Sequence, residues 1–426
     1  MSRILLLSSL ICGMLLLGLL TLHGGLLALT IPPLIYLAAA LLHGPKRLCL
    51  RTDRSLDADR VSQDTPIVIR LSITNEGPAL ETVTIRDHLP ESLELEDGDT
   101  QLLTSLSPGE TVTLEYTVRG RRGAIDFQDV QVRASDHLDL LSRDTTLPTS
   151  GHLTILPEML KLRRVMIRPL RTLSYVGPVP ARQGGSGVEF FGVRDHQPGD
   201  PLRWINWRAS ARHLPELFTN EFEQERIADV GLILDARERT NTKAKDKALF
   251  EYAVRATASL AATFLSDGNR VGLLVYGGFL DWTFPGYGKV QRERLLRALA
   301  RAETGESMVF ESLDYIPTRY FPARSQIVMV SPLCRDDLQP LTRLRARGYE
   351  ILVISPDPVA FEANALTPQP AVSLATRIAR LERTLMLRKI QRAGIRTVDW
   401  QVDQPFDRTV HTSLSRQPQR SRAIKV

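Results

Sequence analysis

Two long apolar segments near the start of the chain, residues 4–22 and 25–42, constrain its folding more than any other feature. Neither contains Asp, Glu, Lys or Arg. Each is about as long as the roughly 20 apolar residues that a helix needs to cross a bilayer core. His23 and Gly24 leave room only for a tight turn, so we predict a membrane-embedded helical hairpin, kinked at the Pro32–Pro33 pair. The alternative is a cleaved signal peptide, but a second apolar segment follows and the first lacks a clear small-residue cleavage site.

Basic residues on either side of these segments indicate their orientation. Arg3 precedes the first segment, and four cations follow the second: Lys46, Arg47, Arg51 and Arg54. Because positive charge favours the cytoplasmic side of a membrane, we expect both ends of the hairpin to be cytoplasmic. Residues 1–55 are therefore predicted to anchor a multi-pass inner-membrane protein in the lipid bilayer, with its soluble domains in the cytoplasm.

The composition suits two or three soluble domains after the anchor. The chain has 426 residues, of which 43% are hydrophobic and 24% are charged, an ordinary balance for globular proteins. The net charge of +6 could favour nucleic acid, but much of the surplus lies beside the apolar segments and in residues 405–426, a basic tail that we expect to be disordered. With no nucleic-acid-binding motif, we expect no such partner. Three isolated cysteines indicate a reducing compartment.

Residues 56–157 have the period-two pattern of β-strands. Ile67, Ile69, Leu71 and Ile73 alternate with more polar positions, and residues 112–118 repeat the pattern. Turn sequences rich in Gly, Pro and Asn separate the strands at short intervals. This pattern predicts a small antiparallel, immunoglobulin-like sandwich.

From residue 227 to 404 the pattern changes to strands that alternate with helices. Residues 230–234 form a continuous apolar run, and an Ala-rich helix is predicted over 244–266. Further strand and helix patterns follow in alternation to a last strand at 397–402. Strands buried on both faces and separated by helices predict a doubly wound parallel sheet.

Residues 187–225 hold an unusual concentration of charged and aromatic side chains around one turn. Pro198–Gly199 has the residues that a type II turn requires. We expect Asp200 to cap a helix that begins at Pro201, with Trp204 and Trp207 on one face of it. Two arginines, Arg203 and Arg212, are predicted to pair with the carboxylates of Glu189 and Asp200. The segment would then be a rigid structural plug or a recognition surface.

This segment resembles the signature of the prokaryotic "domain of unknown function 58" family. The matching residues are Gly187, Glu189, Phe190, Arg194, Gly199, Asp200, Arg203, Ile205, Trp207, Ser210, Ala211 and Arg212. His196 stands where the family usually has Tyr. The resemblance implies a membrane-anchored protein with a von Willebrand factor type A-like domain at 227–404, associated with MoxR-type AAA+ ATPases. Residues 158–226 would then be a linker that carries the signature.

The interaction residues that this resemblance suggests are Glu189, Arg194, Asp200, Arg203, Trp207, Ser210 and Arg212.

Type A domains often bind a divalent cation, and the resemblance allows a test for that site here. The site needs Asp-x-Ser-x-Ser after the first strand, a Thr from a later loop and an Asp after the fourth strand. This chain has Asp235, followed by Arg237 and Arg239 in place of the two hydroxyls, and Ser331-Pro332 at the fourth strand. Cations at ligand positions repel a divalent ion. We therefore expect a degenerate site without metal, in which Asp235 pairs with Arg237 or Arg239 or caps the adjoining turn.

No pattern of catalytic residues points to an enzyme. The eight histidines are scattered, and neither a His-Glu-x-x-His pair nor a nucleophile elbow occurs. The sequence therefore predicts a non-catalytic accessory protein that needs no cofactor and is an adaptor or partner of a MoxR-type ATPase. One alternative is a metal-dependent, ligand-binding adhesin that faces outside the cell. Another is a hydrolase that uses Glu189 and Asp200 as paired carboxylates.

Overall fold

The computed structural model describes most of the chain and divides it into two units. The described residues are 2–43, 48–136, 139–163, 165, 172–173, 179–213, 215–245, 247–367 and 369–415. One unit is Met1–Leu156 and the other is Pro157–Val426. Of the positions discussed above, Lys46, Arg47 and the tail from 416 onward lie outside the described residues.

Three apolar helices begin the first unit. They are α1 (Ser2–Thr21), α2 (Gly24–Leu29) and α3 (Ile31–His43). Within α1, Ile4–Thr21 is long and apolar enough to cross a membrane by length and composition, whereas Gly24–Ala40 is shorter. The second apolar segment is divided into α2 and α3 at Thr30, before the two prolines at which a kink was expected. Pro32 and Pro33 fall in the first turn of that helix, where no backbone N–H donor is needed.

A strand-rich domain follows the helices. Its strands are β1 (Leu50–Leu56), β2 (Arg60–Ser62), β3 (Ile67–Asn75), β4 (Leu80–Arg86), β5 (Leu93–Gly98), β6 (Gln101–Leu106), β7 (Thr111–Gly120), β8 (Gly123–Asp126), β9 (Val130–Ser135), β10 (Ser142–Leu147) and β11 (His152–Leu156). Two four-stranded antiparallel sheets have the orders β1-β3-β7-β5 and β10-β9-β4-β6, and β2-β11-β8 form a third sheet. The period-two pattern thus predicted the strands β3 and β7, which pair with Ile69 opposite Tyr116.

Inward side chains of both four-stranded sheets form one hydrophobic core, in which Ile69, Val83 and Val132 are buried. A buried ion pair crosses this core. Arg54 donates to Asp87 at 2.6 Å, and the hydroxyl of Tyr116 donates to the other carboxylate oxygen at 2.7 Å. Arg54 was predicted to be a juxtamembrane cation, and this is wrong. Its guanidinium is buried with a carboxylate partner, as a charge inside a core must be.

The second unit is an α/β region. Its strands are β12 (Thr172–Leu173), β13 (Val179–Asp195), β14 (Phe218–Ala236), β15 (Lys243–Ala244), β16 (Lys247–Ala248), β17 (Arg270–Gly277), β18 (Leu280–Gly286), β19 (Gln326–Val330), β20 (Glu350–Pro356) and β21 (Arg396–Trp400). Its helices are α4 (Trp207–Ser210), α5 (Leu249–Ser266), α6 (Gly288–Arg301), α7 (Leu338–Ala346), α8 (Pro358–Ala365), α9 (Pro370–Arg392) and α10 (Phe406–Ser415). Short 3₁₀ turns lie at Leu202–Trp204, Glu238–Thr240, Leu313–Tyr315, Thr318–Tyr320 and Arg335–Asp337.

The main sheet has the strand order β18-β17-β14-β19-β20-β21. Strands β14, β17, β19, β20 and β21 are parallel, and β18 is an antiparallel edge strand joined to β17 by a hairpin. Counted along the chain from β14, this order is 3-2-1-4-5-6. Successive connections therefore leave in opposite directions from β14 and β19, and the carboxyl ends of these two strands flank the crevice where open α/β sheets hold their ligands.

Helices cover both faces of this sheet. Buried residues of β14, β17 and β19 form one core cluster with α7 and α9, through Leu341, Leu344, Leu387 and Ile390. Helix α5 packs against the same strands with buried residues outside that cluster. The ring of Phe321 packs directly against the backbone of β14 at Gly231, where a β-carbon would lie 2.3 Å from that ring. Only glycine leaves room for this aromatic side chain.

Two segments differ from the sequence predictions. Residues 158–226, expected to be a linker, contain the hairpin of β13 with the first half of β14. The tail expected to be disordered from residue 405 instead begins with α10, where Phe406 and Val410 are buried. The aromatic ring of Phe406 packs against Trp400 with centroids 4.6 Å apart. This apolar contact fixes a helix whose polar composition had concealed it.

Candidate functional site

A buried ion network lies at the carboxyl end of β14, beside the crevice between β14 and β19. Asp235 is the second-last residue of β14 and is fully buried. Ser331 directly follows β19 and donates to the Asp235 Oδ2 atom at 2.6 Å. The two strands thus bring a carboxylate and a hydroxyl together at the position where ligands gather in such sheets.

Arg237 fills the centre of this network. Its Nε and Nη2 atoms donate to the two oxygens of Asp235 at 2.9 and 2.8 Å. Its Nη1 and Nη2 atoms donate to the two oxygens of Asp337 at 3.0 and 2.9 Å, and Nη1 also reaches the carbonyl of Glu311 at 2.9 Å. One planar guanidinium therefore binds two carboxylates, each through two hydrogen bonds, the geometry for which arginine is suited.

Asp337 is the functional residue that the sequence reasoning missed. It lies in the turn at Arg335–Asp337 that precedes α7, and only 1% of its side chain is exposed. Its Oδ2 atom also accepts a hydrogen bond from the backbone N–H of Cys334 at 2.7 Å. An acidic residue three positions after the start of a turn is a capping pattern. That pattern could have located the side chain, although not its partner.

Burial and ion pairing have opposing effects on the pKa values of groups in this network. Burial alone would lower the pKa of the Arg237 guanidinium, but Asp235 and Asp337 raise it above its ordinary value. Burial raises the pKa of Asp337, against the opposing effect of Arg237. Burial and the neighbouring Asp337 raise the pKa of the Cys334 thiol to about 11. This cysteine is therefore protonated near neutral pH and is a poor nucleophile.

The donor set around Asp235 does not fit a divalent cation. A Mg²⁺ ion needs near-octahedral oxygen ligands, but here Arg237 already occupies both carboxylates of the pair. No group of three or more His, Cys, Asp and Glu side chains that could hold a metal occurs among the described residues. Of the two arginines predicted to pair with Asp235, Arg237 does so. Arg239 instead reaches outward to Asp336 at 2.8 Å, in a partly exposed pair.

Loops around the network expose large apolar side chains. The Gly305 carbonyl accepts from the N–H of Glu238, and the Gly305 N–H donates to the Ala236 carbonyl, which ties this loop to the end of β14. A β-carbon on Gly278 would lie 3.0 Å from the α-carbon of Gly305, so the β17–β18 turn touches the same loop. The two loops also carry three exposed apolar residues: Phe279, Met308 and Val309. We call these three residues the apolar rim.

The signature segment is a second charged site, built on the hairpin of β13 and β14. Arg194 donates two hydrogen bonds to Asp200, both at 2.8 Å. Asp200 also accepts from the N–H of Gln197 at 2.9 Å. Gly199 has φ +106°, and the N–H of Asp200 donates to the carbonyl of Gln197, as the predicted Pro-Gly turn requires. Arg194 lowers the pKa of Asp200 to about 2.

Three details of the signature differ from the prediction. Asp200 does not cap a helix, because its carboxylate binds Arg194 and the turn instead. Trp204 and Trp207 belong to separate elements, with extended backbone at Ile205 between them. Arg203 does not reach Asp200 but lies 6.0 Å from the centroid of the Trp204 ring. The single helix predicted from Pro201 is interrupted because Asn206 caps a new helix, α4, that begins at Trp207.

Hydrogen bonds fix α4 against β14. The side chain of Asn206 accepts from the N–H of Ala209 at 3.0 Å, and its amide donates to Asn220 at 2.8 Å. The hydroxyl of Ser210 donates to the Asn206 carbonyl and accepts from the N–H of Phe218. Ser210 is therefore structural, while Trp207, Arg203 and Arg212 are exposed. The side chain of Glu189 lies outside the described part of the structure, so its predicted pairing stays a prediction.

Comparison with known proteins agrees with the signature. Residues 192–361 match the family model described as "Protein of unknown function DUF58". A curated relative, "Uncharacterized protein YeaD" of Bacillus subtilis (strain 168), is 27% identical over 250 residues, which cover 58% of this chain and 60% of the relative. The chain thus spans about 60% of the length of that relative.

Solved structures resemble this chain only weakly. The cupredoxin domain of amoB from Nitrosocaldus yellowstonii is 7% identical with a TM-score of 0.20, over 30% of this chain and 98% of its own. A FixG-related protein from Vibrio parahaemolyticus is 9% identical with a TM-score of 0.18, over 25% of this chain and 95% of its own. Neither likeness bears on fold or function. The resemblance that the signature indicated is nevertheless confirmed, because residues 192–361 match the model of the DUF58 family, a family of unknown function.

Proposed function

We propose that this chain is a membrane-anchored, non-catalytic interaction protein, a partner or adaptor of a MoxR-type AAA+ ATPase. The observation that carries the proposal is the position of Arg237 between Asp235 and Asp337. A guanidinium there takes the place that a divalent ion holds in a metal-dependent type A domain. The edge of the sheet is then left with the apolar rim as its binding surface, and exposed apolar patches mark protein contacts.

The fold supports the comparison with type A domains on which this proposal rests. The strand order 3-2-1-4-5-6, with an antiparallel third strand, is the arrangement that we expect of a von Willebrand factor type A-like domain. In the first unit, two four-stranded sheets around one core are consistent with an immunoglobulin-like sandwich. Such a module serves as a spacer or as a contact surface.

Charge and protonation support a non-catalytic role. A carboxylate pair that hydrolyses a substrate needs one acid with a raised pKa. Arg194 instead lowers the pKa of Asp200 to about 2, so this carboxylate stays ionised and bound to its partner. Cys334 has a raised pKa, which disfavours the thiolate that a nucleophile needs. We therefore infer that this protein acts by binding a partner and catalyses no reaction itself.

The membrane end supports attachment of these domains to a bilayer. Ile4–Thr21 contains no charged residue and is apolar and long enough to cross by length and composition. We propose that α2 and α3 complete a multi-pass anchor in the inner membrane and that the soluble domains lie in the cytoplasm, where a AAA+ ATPase could reach them. A reporter enzyme fused after Val426 tests this orientation, since activity only outside the cell would favour the adhesin alternative.

The experiment that tests the proposed function is a binding measurement with purified components. The full-length chain, in detergent micelles or nanodiscs, is mixed with a MoxR-type ATPase from the same genome in the presence of ATP. We expect a saturable complex by size-exclusion chromatography and light scattering. A chain that binds no such ATPase but binds an extracellular ligand in a Mg²⁺-dependent way would contradict the proposal.

A further inference from the structure

Helix α9 carries a stripe of aliphatic side chains on its outward face. Leu374, Ile378, Leu381 and Leu385 are 58, 51, 65 and 56% exposed. Their spacing of four, three and four residues places all of them on one face of a helix with 3.6 residues per turn. The opposite face is the buried one, where Leu387 and Ile390 join the core of the α/β region. The stripe therefore points away from the domain that holds the helix.

A buried arginine prevents α9 from turning this stripe inward. Arg383 is 7% exposed, and its Nη2 atom donates to Asp399 at 2.7 Å and to the Ser355 carbonyl at 3.1 Å. Its Nη1 atom donates to the carbonyl of Pro332 at 3.1 Å. Rotation of the helix would break these bonds and leave a charge buried without a partner, which is costly. The aliphatic stripe is thus a fixed surface feature.

Cations border the stripe. Five basic residues of the helix are exposed, and four of them lie beside the stripe: Arg377, Arg388, Lys389 and Arg392, whereas Arg380 lies nearer the buried face. Within the part of the chain that the structure describes, no acidic side chain lies within ion-pair distance of these five. The one acid on α9 is Glu382, and it already pairs with Arg335. The face that carries the stripe is therefore strongly positive as well as apolar.

We propose that the outward face of α9 binds the surface of an anionic lipid bilayer. An aliphatic stripe bordered by Lys and Arg is the composition of helices that lie in the membrane interface, where the apolar side chains enter the acyl boundary and the cations meet phosphate headgroups. Long basic side chains beside the stripe can extend their charge toward the headgroups. This inference rests on the membrane anchor proposed above for Ile4–Thr21, which would attach the same chain to a bilayer.

Charge complementarity excludes the simplest competing occupant, a second copy of the same face. Pairing two copies would bring eight cations together, four from each stripe, which opposes association unless counter-charge is present. Anionic headgroups supply that counter-charge. The inference is independent of the ATPase proposal, because it concerns a different face of the α/β region from the apolar rim at the ends of β14 and β17.

A site-specific fluorescent probe on α9 tests the inference in the full-length protein. Ile378→Cys is introduced after Cys12→Ser, Cys49→Ser and Cys334→Ser, labelled with an environment-sensitive dye and reconstituted into phosphatidylcholine vesicles with or without phosphatidylglycerol. The matched control carries the dye at Arg294→Cys, an exposed position on α6. We expect the emission at position 378 to shift to shorter wavelength only in vesicles with phosphatidylglycerol, and no shift at position 294.

Charge variants and salt complete the test. Neutralising Arg377, Arg388 or Arg392 to Gln is expected to weaken the association about fivefold for each cation, at about 1 kcal/mol per charge. High salt should abolish the wavelength shift, because the Debye length falls from about 30 Å at 0.01 M to about 3 Å at 1 M. The proposal is overturned by an equal shift at both labelled positions, or by none in either lipid. A shift that depends on protein concentration in detergent without lipid would also overturn it, in favour of self-association.

Discussion

The guanidinium of Arg237 donates two hydrogen bonds to the carboxylate of Asp337, a residue 100 positions later in the chain. Together with the two bonds from the same guanidinium to Asp235, they join the end of β14 to the turn before α7. All three side chains are at most 2% exposed. The edge of the sheet is therefore closed by an internal cation, and we propose that a partner would contact the loops beside it.

Truncation of Arg237 tests the energetic importance of this network. Arg237→Met leaves two buried carboxylates without a cation, so we expect a loss of about 3–5 kcal/mol in the free energy of unfolding. The control is Arg239→Met, whose pair with Asp336 is partly exposed, and which should cost less than about 1 kcal/mol. Denaturant unfolding of the purified full-length chain measures both. Equal losses for the two variants would contradict the account.

The pairing of Arg194 with Asp200 predicts a defined pH dependence. Because the pKa of Asp200 falls from 3.8 to about 2 on folding, its pairing stabilises the folded state above pH 3.8, and this stabilisation is lost as the pH falls toward 2. We expect the difference in melting temperature between wild type and Arg194→Gln to be largest above pH 4, to fall as the pH approaches 2 and to vanish below it. A difference that is constant over this range would show that the two residues interact otherwise.

A charge reversal at Arg203 separates the two possible partners of Asp200. Were Arg203 the partner, Arg203→Glu would strongly destabilise the fold, as the sequence first suggested. The structure instead places Arg203 on the surface over Trp204, so its reversal should change stability by no more than about 0.5 kcal/mol. Arg194→Glu serves as the matched comparison and should lower the melting temperature clearly. The reverse order of the two effects would restore the first interpretation.

Substitutions in the apolar rim test the partner surface. Phe279→Ser with Met308→Ser should leave the melting temperature nearly unchanged, because both side chains are exposed. Binding of the ATPase should weaken by about 2 kcal/mol or more, roughly thirtyfold, if these residues anchor the contact. Phe284→Ser is the control, since Phe284 is equally exposed but lies toward the opposite end of the sheet, near the start of β17. Equal weakening by the control would place the contact elsewhere.

Patterns with a strong period were enough to predict the main elements. The run at 230–234 lies within β14, and the alternation from Ile67 to Ile73 lies within β3. The pairing of Asp235 with Arg237 could also be predicted from the sequence, because the two residues are only two positions apart at the end of a strand.

Contacts between distant residues could not be predicted in the same way. Asp337 binds Arg237 although the two residues are 100 positions apart in the chain. The sequence directly after the fourth strand, where type A domains would have their acid, is Ser331-Pro332 and gives no sign of Asp337. Arg54 was predicted to be a juxtamembrane cation because the sequence does not show that the fold brings Asp87 next to it. In both cases the partner is set by sheet topology, which a single sequence does not state. The signature hairpin was missed for a related reason, because glycines weaken the period-two pattern of β13.

Calorimetric titration with Mg²⁺ and Mn²⁺ tests most directly our proposal that Arg237 takes the place of a divalent ion. The full-length protein should show no stoichiometric binding at the sheet edge. As a positive control, the double variant Arg237→Ser with Arg239→Ser restores hydroxyls beside Asp235 and frees Asp337, so it should gain binding. Wild-type binding of one ion at millimolar or better affinity, abolished by Asp235→Ala, would contradict the claim and favour a metal-dependent adhesin.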